Sequence, residues 1–185
     1  MNKINIRLGK IVVKALKFIL KKGKCRDKID YFEYYIRKDE LKSKNVYIGL
    51  NSIIYNTEFS YSSKGDHFYI GDNCTITGAT LLGHDASPCL FIRELIIKEN
   101  VWLSGSRLSY RDPIHIGNNV FIGVGSIILP GVVIGNNVVV AAGSVVTSNI
   151  EDNSVYAGNP AKKIKSIENY ITKYETLYKT NREKF

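Results

Sequence analysis

Cysteine is scarce in this chain of 185 residues, and the three present, Cys25, Cys74 and Cys89, are widely and irregularly spaced. An odd set without a CxxC pair makes neither a disulfide framework nor a thiolate metal site, and it fits a reduced, cytoplasmic setting. Long apolar runs are missing too. Lys10, Lys14, Lys17 and Lys21 interrupt every apolar stretch of the first 22 residues, and no small-residue cleavage site follows, so neither export nor a transmembrane helix is expected. Acidic residues are almost absent from the first 28 positions, where ten Lys or Arg stand against Asp27 alone, while residues 29–185 carry equal numbers of each sign. The net charge of +9 therefore belongs to one segment. A basic body gripping nucleic acid over a broad surface is not expected. What remains is ordinary: 44% apolar and 23% charged residues suit one compact domain with a buried core and exclude disordered and collagen-like classes.

Within residues 1–22 the basic positions Lys3, Arg7, Lys10, Lys14, Lys17 and Lys21 recur at intervals of three and four, one stripe of a helix. Ile4, Leu8, Ile11, Val12, Ala15, Leu16 and Ile19 form the opposite face. Two arrangements compete: the helix lies on an anionic membrane surface, or its apolar face packs on the rest of the protein with the lysines in solvent. The ordinary surface-helix pattern favours packing. Residues 29–45 read as helical, with Tyr31, Phe32, Tyr34, Tyr35 and Ile36 as apolar contacts.

From Val46 onward the texture changes to short β-branched runs punctuated by Gly and Asn. Ile116, Ile122, Ile128, Ile134, Val140 and Val146 are spaced by six without a break, with Val120, Ser126, Val132, Val138 and Ser144 at the intervening small positions. The same register reads through Ile70, Ile76 and Leu82, then Ile97 and Leu103, with Ile48 and Ile54 as a less regular first turn. Six matches neither the 3.6 of a helix nor the 2.0 of an alternating strand, but it matches a short flat strand plus a corner. Three such sides make an 18-residue coil. The spacing predicts an all-β solenoid of about five coils, with aliphatic residues stacked in a central column. A larger excursion is expected at residues 83–95 and a smaller one at 109–115. After Ala161 the repeat stops, and Ile164, Ile167, Ile171, Tyr174 and Tyr178 predict a C-terminal helix. The expected organisation is a helical lead-in over 1–45, the β-helix over 46–161 and the C-terminal helix over 162–185.

The unbroken repeat, the string IGNNVFIGVGSIILPGVVIGNNVVVAAGSVVT (116–147) and the closing VYAGNPAKKIK (155–165) resemble the hexapeptide-repeat acyltransferases, which have a left-handed parallel β-helix. The resemblance covers roughly residues 46–165. The GHDAS loop (83–87) is similar to the His-Asp loop of the sugar O-acetyltransferases of bacterial surface polysaccharides. The resemblance implies acetyl-CoA as co-substrate, a sugar or polysaccharide-precursor acceptor, and a homotrimer with each active site between neighbouring β-helices. It carries over Val124, Ala142 and Thr147 as positions lining the pantetheine groove, and Lys162 and Lys165 as partners of the CoA phosphates.

Acyl transfer to a hydroxyl needs a base to take the hydroxyl proton, and imidazole suits that task near neutral pH. Among His67, His84 and His115, His84 is the candidate, since it follows Leu82 at the start of the excursion and coincides with the family motif. Asp85 is a secondary catalytic candidate, although adjacent residues on an extended chain point in opposite directions, so the carboxylate serving His84 Nδ1 is equally open to another source. Asn56, Arg93, Arg107, Tyr110 and Arg111 are candidate acceptor contacts, and Trp102 fits either a trimer interface or a sugar ring. A zinc site of the gamma-type carbonic anhydrase kind is disfavoured, because no His-x₃₋₅-His pattern exists. No Ser-His-Asp arrangement is visible, so direct attack in a ternary complex is the simpler mechanism. The expected function is acetyl-CoA-dependent sugar O-acetylation in the cytoplasm, with peripheral membrane contact through residues 1–28 left open. The alternatives are N-acetylation of a nucleotide-linked amino sugar and a non-catalytic membrane-associated scaffold.

Overall fold

A computed structural model describes residues 3–19, 24–62 and 64–185, with side chains from Asn5 and Cys25 onward in the two N-terminal helices. The chain divides into two compact units, Met1–Ile48 and Gly49–Phe185. Lys21 of the expected basic stripe lies outside the described residues.

In the first unit, helix α1 (Lys3–Ile19) packs on helix α2 (Lys24–Lys42). Ile6 and Val13 of α1 bury against Ile29 and Ile36 of α2. Lys10 pairs with Glu40 at 2.5 Å, and Lys17 pairs with Asp30 at 2.6 Å and also with Glu33. The Lys17 ammonium beside Asp30 holds that carboxyl below its usual range. This reverses the expected arrangement. Part of the lysine stripe faces α2, because α2 supplies the acids that α1 lacks, while Leu8, Ile11, Val12, Leu16 and Ile19 are exposed. Tyr31, Phe32 and Tyr35 are exposed as well, so Ile29 and Ile36 make the apolar contacts of α2.

The second unit is a three-sided parallel β-helix. One face stacks Phe68–Ile70, Ile114–Ile116 and Val133–Ile134; a second stacks Ile53–Tyr55, Thr75–Thr77, Val120–Ile122, Val138–Val140 and Ser154–Ala157; the third stacks Glu58–Ser60, Thr80–Leu82, Ile127–Ile128 and Val145–Val146. The six-residue register holds from Ile116 to Val146, whose aliphatic side chains are all buried. Ser126 and Ser144 fill small corner positions, each with its hydroxyl donating to the Ala141 carbonyl, at 3.1 and 2.6 Å. The hydrogen bonds offset the cost of taking these hydroxyls out of water.

The register departs from expectation in two places. Gly78 adopts φ +52°, a conformation open to glycine, and the tightened corner moves the core position from Leu82 to Leu81, which is fully buried and pairs with Ile128. Ile97 and Leu103 are not in the column: they are exposed at 54% and 43% and lie inside a single excursion, 83–113. That excursion is closed at its base by an antiparallel pair, His84–Asp85 with Tyr110–Arg111.

One edge of the prism carries two polar ladders. Asn51, Asn73, Asn119, Asn137 and Asn153 all have φ between 52° and 57°. Each amide donates to the next Asn side chain along the stack at 2.8–3.0 Å. The preceding residues Asp72, Asn118, Asn136 and Asp152 each accept a backbone N–H from the coil before, at 2.6–2.9 Å. At the other end of the chain, the expected helix over 162–185 begins as a strand. Lys162–Ser166 folds back antiparallel on Ser154–Ala157, and only then does helix α3 (Ile167–Thr180) start, with Ser166 as its N-cap.

Candidate active site

The edge between the third face and the first holds the reactive groups. Asp66 closes the corner of one coil and His84 that of the next, 18 residues later, which is one full turn of three six-residue sides. Stacked positions on neighbouring coils lie about one strand spacing, roughly 4.8 Å, apart, and here the side chains meet: His84 Nδ1 is 3.1 Å from Asp66 Oδ2. Gly83 makes the approach possible, since a Cβ there would stand 2.5 Å from the Asp66 Cβ and 2.7 Å from the Ser60 carbonyl oxygen.

The Asp66 carboxylate is fully buried, whereas the His84 side chain keeps 26% of its surface in solvent. Three groups hold the acid. His84 takes Oδ2, the Ser62 backbone N–H donates to the same oxygen, and Arg111 Nε stands 3.2 Å from Oδ1, off the line of its N–H, so that contact is ionic rather than a directed hydrogen bond. A guanidinium and a backbone donor thus compensate a carboxylate that water does not reach. An imidazole that donates from Nδ1 to it presents the lone pair of Nε2 outward.

Asp85, the adjacent carboxylate, serves another purpose. Its oxygens accept from Ser87 N at 2.8 Å and Ser87 Oγ at 3.0 Å, which pins the turn that follows and holds its carboxyl below the usual range. The structure therefore replaces Asp85 with Asp66 as the carboxylate on His84. Asp66 could have been found from the sequence by subtracting one 18-residue coil from His84.

The acceptor candidates separate. Arg111 is engaged with Asp66 and donates to Ser62 Oγ at 3.1 Å, so its guanidinium braces the dyad. Tyr110, next to it, is half exposed, and its phenol donates to Asp112 Oδ2 at 3.0 Å, which raises its pKa. Arg107 donates to the Lys98 and Ser106 carbonyls within the excursion, at 2.8 and 3.1 Å. Arg93 lies exposed on a short helical turn, Arg93–Leu95. Asn56 is exposed on a different edge, between the second and third faces. His115 points outward from a first-face strand, stacked on Tyr69 with ring centroids 4.7 Å apart. Trp102 is exposed at the excursion tip.

Val124 and Ala142 share the edge that Asn56 opens, one coil apart, with the Gly143 N–H donating to the Val124 carbonyl at 2.9 Å. A Cβ on Gly78, one coil earlier, would meet Val124 Cγ2 at 2.8 Å. Val124 and Ala142 are exposed, so this edge presents small and apolar groups to solvent. Thr147 lies elsewhere, past the third-face strand Val145–Val146, on the edge that His84 and Asp66 occupy higher in the stack. Lys162 and Lys165 are on the terminal edge strand, paired with Ala157 and Val155, while the intervening Lys163 binds Glu151 at 2.6 Å. Lysines on an edge strand also guard it against pairing with other chains. Among the described residues, no group of three or more His, Cys, Asp or Glu is placed to hold a metal ion.

A buried carboxylate meets a partly exposed histidine at a β-helix corner, and comparison with known proteins places this scaffold among the acyltransferases. A profile of the hexapeptide repeat of succinyl-transferase matches residues 113–148. Protein CapG of Staphylococcus aureus is 43% identical over 143 residues, spanning 75% of this chain and 76% of its own. A maltose O-acetyltransferase from Clostridium difficile 630 superimposes with a TM-score of 0.55 at 26% identity, covering 90% of this chain and 89% of its own. A galactoside acetyltransferase in complex with coenzyme A gives 0.52 at 26% identity, covering 90% and 84%. The chain belongs to the hexapeptide-repeat acetyltransferase family, whose scaffold is the left-handed β-helix.

Proposed function

We propose that the protein is an acetyl-CoA-dependent O-acetyltransferase that acetylates a sugar hydroxyl of a bacterial surface polysaccharide or its precursor. The observation that carries this reading is the His84–Asp66 contact at 3.1 Å, with Asp66 fully buried and His84 open to solvent. Acetyl-CoA supplies a thioester whose acetyl carbon accepts the acceptor oxygen and whose sulfur departs as the thiol. His84 Nε2 takes the acceptor's hydroxyl proton as the new C–O bond forms, and the same imidazolium returns that proton to the departing sulfur. Asp66 fixes the ring and its tautomer and stabilises the transient positive charge. Arg111 and the Ser62 N–H keep Asp66 in place.

Val124 and Ala142 are the residues that line a pantetheine strip, which the lack of a side chain at Gly78 leaves unobstructed beside Val124, and the exposed Lys162 with Lys165 suits the CoA phosphates. Thr147 serves from its separate edge, and in a homotrimer two edges of neighbouring β-helices face one groove. The excursion supports such an assembly, since Leu90, Phe91 and Trp102 are exposed at 75–87% and invite cover by a second chain. Asn56, Arg93 and Tyr110 contribute to the acceptor side of that groove, and Arg107 shapes the excursion that walls it. Residues 1–28 make a peripheral membrane contact, and no described helix is long and apolar enough to cross a membrane.

Mass spectrometry of products from a panel of sugars and amino sugars, with wild type and His84→Ala, tests the reading. Acetyl esters that disappear in the variant support it. Acetyl amides, or esters formed by His84→Ala at the wild-type rate, overturn it.

A further inference from the structure

The face that α1 turns away from α2 is apolar, cation-flanked and uncovered within its own unit. Ile11, Phe18 and Ile19 are exposed at 60%, 83% and 71%, and Leu8 and Val12 at 57% and 51%. A surface helix ordinarily buries its apolar arc; here Ile6 and Val13 on the other side do the packing. The cations divide in the same way. Lys10 and Lys17 are spent on the α2 carboxylates, while Arg7 and Lys14 are exposed and flank the apolar arc. No acid occurs anywhere in α1.

We propose that this arc of α1 docks in the interface of an anionic lipid bilayer, with Ile11 and Phe18 immersed and Arg7 and Lys14 at the level of the phosphates. This deepens the peripheral contact proposed for residues 1–28, rests on that reading, and is independent of the acetyl-transfer reading. Charge selects the occupant. A second α1 laid on the first would set cations against cations, and Asp30, Glu33 and Glu40 of α2 are already engaged, whereas an anionic bilayer offers an apolar layer edged by negative charge, the complement of this face. The lysine stripe read from the sequence is thus not the docking surface itself. Half of its described side chains hold α2, and the apolar arc does the inserting.

The test uses the full chain with vesicles of phosphatidylcholine alone and of phosphatidylcholine with 30% phosphatidylglycerol. Co-sedimentation is read beside circular dichroism, light-scattering mass and acetyl transfer to a soluble acceptor. The expected result is binding to the anionic vesicles, lost at least tenfold in Ile11→Asp/Phe18→Asp and reduced about fivefold for each charge removed in Arg7→Gln and Lys14→Gln, with mass, helicity and soluble-acceptor turnover unchanged. Wild-type chain that ignores both vesicle types overturns the proposal. So does a double variant that binds as wild type, or one whose only change is a smaller oligomer or a lower melting temperature, because the arc then covers protein. Turnover is read separately, so loss of the acetyl-transfer reading leaves this result intact.

Discussion

Replacing Asp66 with Asn removes one charge and almost no volume, and its effects on stability and on turnover can be separated. The carboxylate is fully buried and faces Arg111 Nε at 3.2 Å, with only 20% of the Arg111 side chain exposed. Breaking a buried pair from one side leaves the other charge uncompensated at a cost of about 3–5 kcal/mol. Because Arg111 keeps some solvent and its hydrogen bond to Ser62, the low end of about 3 kcal/mol applies. For a chain of this length that is about 6–12 °C in Tm. Turnover is predicted to fall further than stability alone explains. An Asn in place of a buried Asp on a catalytic imidazole favours the wrong tautomer and loses stabilisation of the imidazolium, effects worth up to about 10⁴-fold in kcat. The assay is kcat and KM for acetyl transfer at a temperature where circular dichroism shows the variant folded, beside Asp85→Asn, whose carboxylate accepts from Ser87 N and Oγ. Expected are a kcat loss of about 10²–10⁴-fold for Asp66→Asn with KM little changed, and activity within about threefold of wild type for Asp85→Asn. A reversed order of the two variants, or a loss confined to KM, would refute the assignment of Asp66.

Asn119→Ala is expected to lower stability by about 2–4 kcal/mol in thermal melts, since it places a Cβ-bearing residue without a local partner at φ +57° and breaks two rungs of the ladder; Asn119→Gly recovers the backbone part only. Iodoacetamide at pH 8, followed by peptide mass spectrometry, is expected to label exposed Cys25 in the native protein and spare Cys74 and Cys89, with burial pushing the Cys74 thiol up and away from the reactive thiolate. Unfolded protein should take label at all three. Lys162→Ala/Lys165→Ala is expected to raise KM for acetyl-CoA severalfold with kcat held, read from initial rates at varied donor; an unchanged KM would leave these lysines as guards of the edge strand. Because Asp30 is depressed below its ordinary range by Lys17, the α1–α2 pairing gains stability that is present above the ordinary carboxylate pKa and is lost as pH falls through the lower folded value, visible as a shift of hydrogen exchange in α1 toward faster rates on acidification.

The repeat was legible because each six-residue side must supply one large buried residue, and Ile116 to Val146 do so without exception. The sequence pattern failed where one glycine altered a corner: after Gly78 the core position moves to Leu81, and no hydropathy pattern distinguishes Leu81 from Leu82. Ile97 and Leu103 matched the register by coincidence, since two residues six apart are a weak test inside a loop rich in aliphatic residues. His84 was legible through its motif, whereas Asp66 looks like any turn acid beside Gly65, and its burial exists only once the coils stack. In the first 28 residues the amphipathic pattern was plain, but a pattern of faces does not say which face meets α2; that depended on Asp30, Glu33 and Glu40, which belong to another helix.

The asparagine ladder passes from Asn73 to Asn119 at 2.8 Å, no longer than the rungs that join consecutive coils, although the whole 83–113 excursion intervenes in sequence. To the scaffold the excursion does not exist. Its length and composition can change without disturbing the rungs on either side, while both of its ends stay anchored beside Asp66. A lineage built on this chain can therefore exchange the interior of the excursion, between the His84–Asp85 and Tyr110–Arg111 strands, as a cassette and keep the His84–Asp66 contact and the coils in register. Variation in such a protein enters by insertion and replacement at one joint, and the number of coils stays as it is.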